Sequence, residues 1–124
     1  MSRRSTKLFK AALTALHYTG AGQALAPWTR GVGTIFMLHQ VGDASDGECD
    51  PNRILRITPE FLEKTIAEVR KSGFDLVSLD EVHRRLAERD FSRRFAAFTL
   101  DDGYRDNLEN AYPIFRRNNV PFAI

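Results

Sequence analysis

One cysteine, Cys49, stands in the whole chain, so no internal disulfide can form and the redox compartment stays undetermined. No apolar run reaches the length of a bilayer crossing, and the mean hydropathy is -0.34. An ordinary membrane span is thereby excluded. An excess of either charge is nearly missing: 18 Lys and Arg against 16 Asp and Glu leave a net charge of only +2, which gives the whole chain no electrostatic case for nucleic acid. Acidic residues are absent from residues 1–30, which hold Arg3, Arg4, Lys7, Lys10 and Arg30. The opening segment is therefore a separate electrostatic object. Histidine is scarce too, with His17, His39 and His83 alone, and no His-x-x-x-His pair.

Against these absences, hydrophobic residues make up 43% and charged residues 27%, values of a globular chain long enough for one small domain. Cys49 falls in a polar stretch, residues 42–52, that reads as a loop. No local motif marks it as a reactive thiol rather than an ordinary loop cysteine.

Residues 6–18 carry helical periodicity, with Phe9, Ala12, Leu13 and Leu16 on one face and Lys7, Lys10, Thr14 and His17 on another. Three readings fit: a secretory signal ending near Ala24-Leu25-Ala26, an amphipathic helix on a membrane surface, or a helix docked on the domain. His17, Tyr18 and Gln23 interrupt any clean apolar signal core, which favours a cytoplasmic or membrane-peripheral location over a secreted one. Gly20, Gly22 and Pro27 are expected to break the helix, giving a basic N-terminal helix and linker over 1–32 and a folded domain over 33–124.

From Gly33 the pattern alternates. Thr34 to Leu38 has a strand's length. Thr58 is a suitable N-cap, with Pro59 at the first helical position and Phe61, Leu62, Thr65, Ile66 and Val69 as the inner face. Phe74 to Val77 reads as a second strand. Ser78 and Glu81 have capping-box spacing before a helix with Leu79, Val82 and Leu86 inward. Phe95 to Leu100 is apolar enough to be covered on both faces. A helix then runs to about Asn118, with Asn110 as the cap that would let Pro113 sit early. Val120 to Ile124 begins a fourth strand. The order predicts α/β architecture with largely parallel pairing. Ending on an apolar strand edge, the sequence reads as a fragment.

The chemistry concentrates at Thr99-Leu100-Asp101-Asp102-Gly103-Tyr104. Adjacent carboxylates repel unless a cation or a shared proton offsets them, and in α/β folds ligands bind at the C-terminal ends of strands. Gly103 permits a sharp turn that re-aims both carboxylates. One is then free to serve a metal and the other to act as a base. Asp-Gly taken alone is also a common turn with a capping Asp.

Residues Phe98 to Asn107 resemble the first motif of the polysaccharide deacetylase family, the NodB-homology enzymes. That motif reads Thr-Phe-Asp-Asp-Gly, with Leu100 here in place of Phe. Residues Asn110 to Phe115 and Asn119 to Ile124 are similar to the family's next helix and strand. Met37 to Val41 resembles its opening strand, with Leu38 where a Tyr precedes the His. Thr58 to Phe61 and Gly73 to Glu81 also fit, so the likeness spans about residues 33–124.

The resemblance implies the N-terminal part of a deformed (β/α) barrel, incomplete here. It implies a metal-dependent hydrolase that removes N-acetyl groups from N-acetylglucosamine-containing glycans (chitin oligomer, peptidoglycan or exopolysaccharide). Asp101 corresponds to the catalytic base and Asp102 to the aspartate ligand of a divalent ion, usually zinc, with cobalt or nickel as alternatives. His39 stands where it would support or contact substrate. The two metal histidines belong to a later motif that this chain lacks, and one Asp with one His is too few for a catalytic zinc site. The chain alone is accordingly expected to be inactive. Two further readings stand beside the enzyme: a non-catalytic product that binds sugar or a partner, and a membrane-surface or scaffolding protein acting through residues 1–30.

Overall fold

Phe95–Leu100 is the strand around which the rest is arranged, and five of its six residues are buried, Thr99 alone being half-exposed. The computed structural model describes residues 3–43 and 53–124, which fall into two compact units, Met1–Gly31 and Val32–Ile124. Cys49 lies outside the described residues.

In the second unit, β1 (Gly33–Leu38) is followed by β2 (Gln40–Val41), β3 (Arg56–Ile57), α3 (Pro59–Lys71), β4 (Asp75–Leu76), α4 (Leu79–Glu88), β5 (Phe95–Leu100), α5 (Tyr112–Arg117) and β6 (Phe122–Ala123); α1 and α2 belong to the first unit. β1 pairs with β5 along its whole length, from Gly33 opposite Phe95 to Leu38 opposite Leu100. β4 pairs with Phe95 and Ala96, and β6 with Phe98 and Thr99. All these pairings are parallel, as the alternating pattern predicts. The described strands form an open sheet.

Alternation along β5 sends its side chains into two cores. Phe98 and Leu100 meet Leu62 and Ile66 of α3 and Ala111, Ile114 and Phe115. Phe95 and Ala97 meet Val77 and Val82. Burying a large apolar side chain fully stabilises by roughly 1.5–3 kcal/mol, so Leu62, Ile66, Phe98 and Phe115 anchor the larger core. A chain of aromatic rings ties its elements together. Phe36 stacks on Phe98 at 5.0 Å, Phe98 meets Phe115 at 5.4 Å, and Phe115 stacks on Phe122 at 4.7 Å. β1 is held close to β5 because Gly33 has no Cβ; one placed there would lie 2.3 Å from the Phe95 ring.

The caps form as their residue types dictate. Thr58 Oγ1 accepts from the Phe61 N–H at 3.2 Å, and Ser78 Oγ from the Glu81 N–H at 3.2 Å.

Several local expectations need correction. Phe61 is exposed, and α3 buries only Leu62 and Ile66 completely. On α4 only Val82 is buried, while Leu79 and Leu86 are exposed. Val82 packs on Phe95 and Ala97 of β5 and on Val77, and this small core leaves Leu79 and Leu86 of the apolar stripe uncovered. β2 and β3 form a separate two-stranded parallel sheet, too short to leave an alternating pattern. Asn110 is not a helix cap. The chain is already helical at Arg105 and continues as a π-turn over Asn107–Ala111 into α5. Pro113 has no N–H to donate, and the widened turn before it relieves the clash with the preceding carbonyls.

In the first unit, α1 (Arg3–Tyr18) and α2 (Ala21–Thr29) are joined at Gly20, whose φ is 70°. Gly20 ends the first helix as expected. Gly22 and Pro27, in contrast, lie inside α2 and do not break it. Among the described residues no helix is long and apolar enough to cross a membrane.

Candidate functional site at the ends of the first and fifth strands

Register alone brings the first two site residues together. Leu38 and Leu100 are partners at the ends of β1 and β5, so His39 and Asp101 emerge side by side, one strand spacing apart. The Asp101 N–H donates to the Leu38 carbonyl at 2.8 Å, which prolongs the ladder by one residue and fixes where that side chain starts. His39 Nε2 lies 4.0 Å from Asp101 Oδ2, with side-chain exposures of 24% and 43%. The gap is beyond a hydrogen bond and within ion-pair range.

The chain then reverses sharply. Asp102 has φ 68° and Gly103 φ 60°, two successive left-handed residues. Gly103 adopts this freely, and Asp is among the few L-residues that tolerate it. The turn leaves Asp102 exposed while Asp101 stays half-buried. Tyr104 closes it, its carbonyl accepting from the Asn107 N–H at 2.9 Å.

Behind this pair lies a polar lattice, in which Asn110 serves a carbonyl across the fold and not the helix cap expected of it. Asn107 is 1% exposed. With its amide nitrogen turned inward it donates to the His39 carbonyl and to Asp106 Oδ1, each at 2.9 Å. Asn110 Nδ2 donates to the Val41 carbonyl at 2.7 Å. Burial pushes the Asp106 carboxyl above the usual carboxylate range. The Val41 N–H, the charge of Arg56 and the Asn107 N–H oppose that shift. Arg56 Nε in turn donates to Oε1 of the buried Gln40 at 3.1 Å. Residues 39–42 are thus tied by their backbone to the π-turn, which sets the height of His39 relative to Asp101. Asp106 and Asn107 close the Phe98 to Asn107 stretch that carries the resemblance, and nothing in the sequence pattern shows which backbone groups they reach.

Beside His39 opens a cleft of about 260 Å³, lined by Met37, Leu38, Gln40, Ile54, Leu55 and Ile57 as well. His39 and Gln40 are its polar members, and the remainder of the lining is apolar.

The structure therefore unites His39 with Asp101 and places Asp102 next to them on the exposed turn. His83 is exposed on α4. Among the described residues, no three His, Cys, Asp or Glu side chains gather where they could hold a metal ion. A complete divalent-metal site does not fit what is present: Asp101, Asp102 and His39 do not converge as the three protein ligands that a catalytic zinc needs.

No family model matches the sequence, and no curated protein matches it closely enough to count as a relative. Solved structures similar to the chain include a Streptococcus pyogenes deacetylase, PplD, in complex with acetate. It superposes with a TM-score of 0.62 at 22% identity, over 72% of this chain and 39% of that one. A de-N-acetylase from Aggregatibacter actinomycetemcomitans superposes with a TM-score of 0.57 at 21% identity, over 73% of this chain and 36% of that one. The chain thus spans under two fifths of the length of either. At such identities the likeness is one of α/β fold.

Proposed function

We propose that residues 33–124 supply the first part of the catalytic domain of a metal-dependent polysaccharide deacetylase of the NodB-homology type. Its barrel would be completed by further strands, and its reaction would be hydrolysis of N-acetyl groups on N-acetylglucosamine-containing glycans. The observation that carries the reading is the pairing of His39 with Asp101 at the ends of two parallel strands, beside an exposed Asp102, on a fold shared with de-N-acetylases.

In this reading Asp101 is the general base. Half-buried and fixed by its backbone bond to Leu38, it takes a proton from the water that attacks the acetamide carbon. Asp102, held outward by its left-handed backbone, is one carboxylate donor to a divalent ion, zinc or in its place cobalt or nickel. The remaining donors, two histidines, are not among residues 1–124. His39 contacts the sugar in the cleft, whose apolar lining suits the face of a pyranose ring. The products would be acetate and a free amino sugar.

A second reading has one observation in its favour: with no three-ligand cluster among the described residues, the chain by itself would bind an N-acetylated glycan without hydrolysing it.

The two readings separate by experiment. Residues 1–124 with added zinc are expected to release no acetate from chitin oligomers above a metal-only blank. In a protein that carries the missing histidines, Asp102→Ala should lose metal by mass spectrometry. Asp101→Asn should retain it and lose about 10²–10⁴-fold in turnover, the usual worth of a general base. Equal metal loss in both would overturn the division of roles. Full activity in both would reduce Asp101-Asp102-Gly103 to a turn.

A further inference from the structure

The first unit has a composition that water does not favour. Around α1, Phe9, Leu13 and Leu16 share one face, and they are 63%, 63% and 42% exposed. On the helical wheel Lys7 and Lys10 fall on the opposite and flanking sides. α2 adds Leu25, 46% exposed, and Trp28, 81% exposed, one helical turn apart. The unit buries none of these side chains for itself.

Charge says what covers them. Residues 1–31 contain five Lys or Arg and no Asp or Glu, and the first acid in the chain is Asp43. An amphipathic helix with cationic flanks and a bare apolar face, too polar overall to enter the hydrocarbon, is the form that lies in a bilayer interface rather than crossing it. An indole belongs at the same depth, its ring among acyl chains and its N–H in the headgroup layer. A soluble polyanion would satisfy the lysines and arginines and leave Phe9, Leu13, Leu25 and Trp28 in water. An apolar protein groove would cover those four and leave the cations unmatched. An anionic lipid surface meets both requirements together.

We propose that α1 and α2 form an interfacial anchor that binds the chain peripherally to anionic membranes, with Phe9, Leu13, Leu16, Leu25 and Trp28 in the acyl boundary and Lys7, Lys10 and Arg30 on the headgroups. This binding does not depend on the deacetylase reading.

Trp28 is the only tryptophan in the chain, so it reports its own environment. The full 124-residue chain is titrated with vesicles of phosphatidylcholine and phosphatidylglycerol, and separately with phosphatidylcholine alone. With the anionic vesicles the chain should sediment with the lipid, and Trp28 emission should shift to the blue and become quenched by brominated acyl chains. Partition into phosphatidylcholine alone should be far weaker. Each basic side chain held near an anionic surface contributes about fivefold, so Lys7→Gln with Lys10→Gln should weaken partition about 30-fold. Leu13→Glu should abolish the blue shift while leaving the second unit's structure unaltered by circular dichroism. The proposal is overturned if Trp28 is already blue-shifted and shielded from acrylamide without lipid, which would mean that the chain covers the face itself. It is equally overturned if soluble poly(U) produces the same shift, or if both vesicle types bind alike.

Discussion

Asp102 sits at φ 68°, a conformation that costs an ordinary L-residue about 1–2 kcal/mol and glycine almost nothing. A carboxylate retained there is kept for what it can bind, or for its polarity, and not for backbone comfort. Asp102→Gly is therefore expected to raise stability by about 1 kcal/mol in urea denaturation. A loss of stability would show that the Asp102 side chain holds the turn together. Asp106 makes the opposite kind of statement. Burial raises its pKa, so the unfolded chain ionises it first. Its contribution favours the fold while the group is protonated in both states, and that contribution is lost as pH rises through the folded value. Between about pH 4, where a free Asp ionises, and neutrality, stability of the native chain should fall relative to Asp106→Asn. A flat difference across that window would contradict the assignment.

Among the elements, the π-turn Asn107–Ala111 carries the most consequence for the site. It lets the helix pass Pro113 unbroken, and it turns Asn107 and Asn110 toward the segment that follows β1. Asn110 reaches the Val41 carbonyl across 69 residues of sequence. Removing the amide leaves that carbonyl, next to the fully buried Val41 side chain, without this partner. Asn110→Ala should cost about 1–2 kcal/mol, and the amide protons of residues 40–42 should exchange faster than those of β5. Uniform acceleration throughout the unit would mean that Asn110 serves the global core and does not position this segment. α4 is a contrast. Its outer surface is bound by Arg84 to Glu81, Glu88 and Asp90, and by Arg85 to Glu81 and Asp75. Arg84 and then Arg85 lower the Glu81 pKa to about 2, so that the Glu81 pairs survive mild acid. The Arg84 pairs are solvated and organise the helix surface more than they stabilise the fold, whereas Arg85 and Asp75 are largely buried.

For the molecule as a whole, the sheet is covered unequally. Ile35 and Met37, on the face of β1 that lies beside Ala97 and Thr99, are 51% and 62% exposed. α4 covers that same face only around Val77, Val82, Phe95 and Ala97. Ile124, just past β6, is exposed as well. Apolar side chains left on a sheet face and at its edge promote association between copies. The isolated chain is therefore expected to elute above its 14.1 kDa monomer mass and to melt broadly. Ile35→Lys with Met37→Lys should move it toward the monomer. A monodisperse native monomer with one sharp melt would show the face to be harmless.

What residues 33–124 determined by sequence alone is local or periodic. Thr58 and Ser78 cap helices because their hydroxyls reach N–H groups three residues on. Phe95 to Leu100 is a central strand because an apolar run of that length demands cover on both sides. Gly103 with Asp102 turns the chain because those residue types tolerate positive φ. Each effect acts within a few residues and can be read in order along the chain. Tertiary structure decided the rest. The register that sets His39 beside Asp101, the inward Asn107, the Asn110 bond to Val41 and the exposure of Leu79 and Leu86 all join segments tens of residues apart or depend on what the rest of the fold lays against them. No residue type encodes its distant partner. Such contacts exist only once the strands have paired, and a polar side chain such as Asn107 looks like surface until the backbone carbonyl it must satisfy has been buried with it.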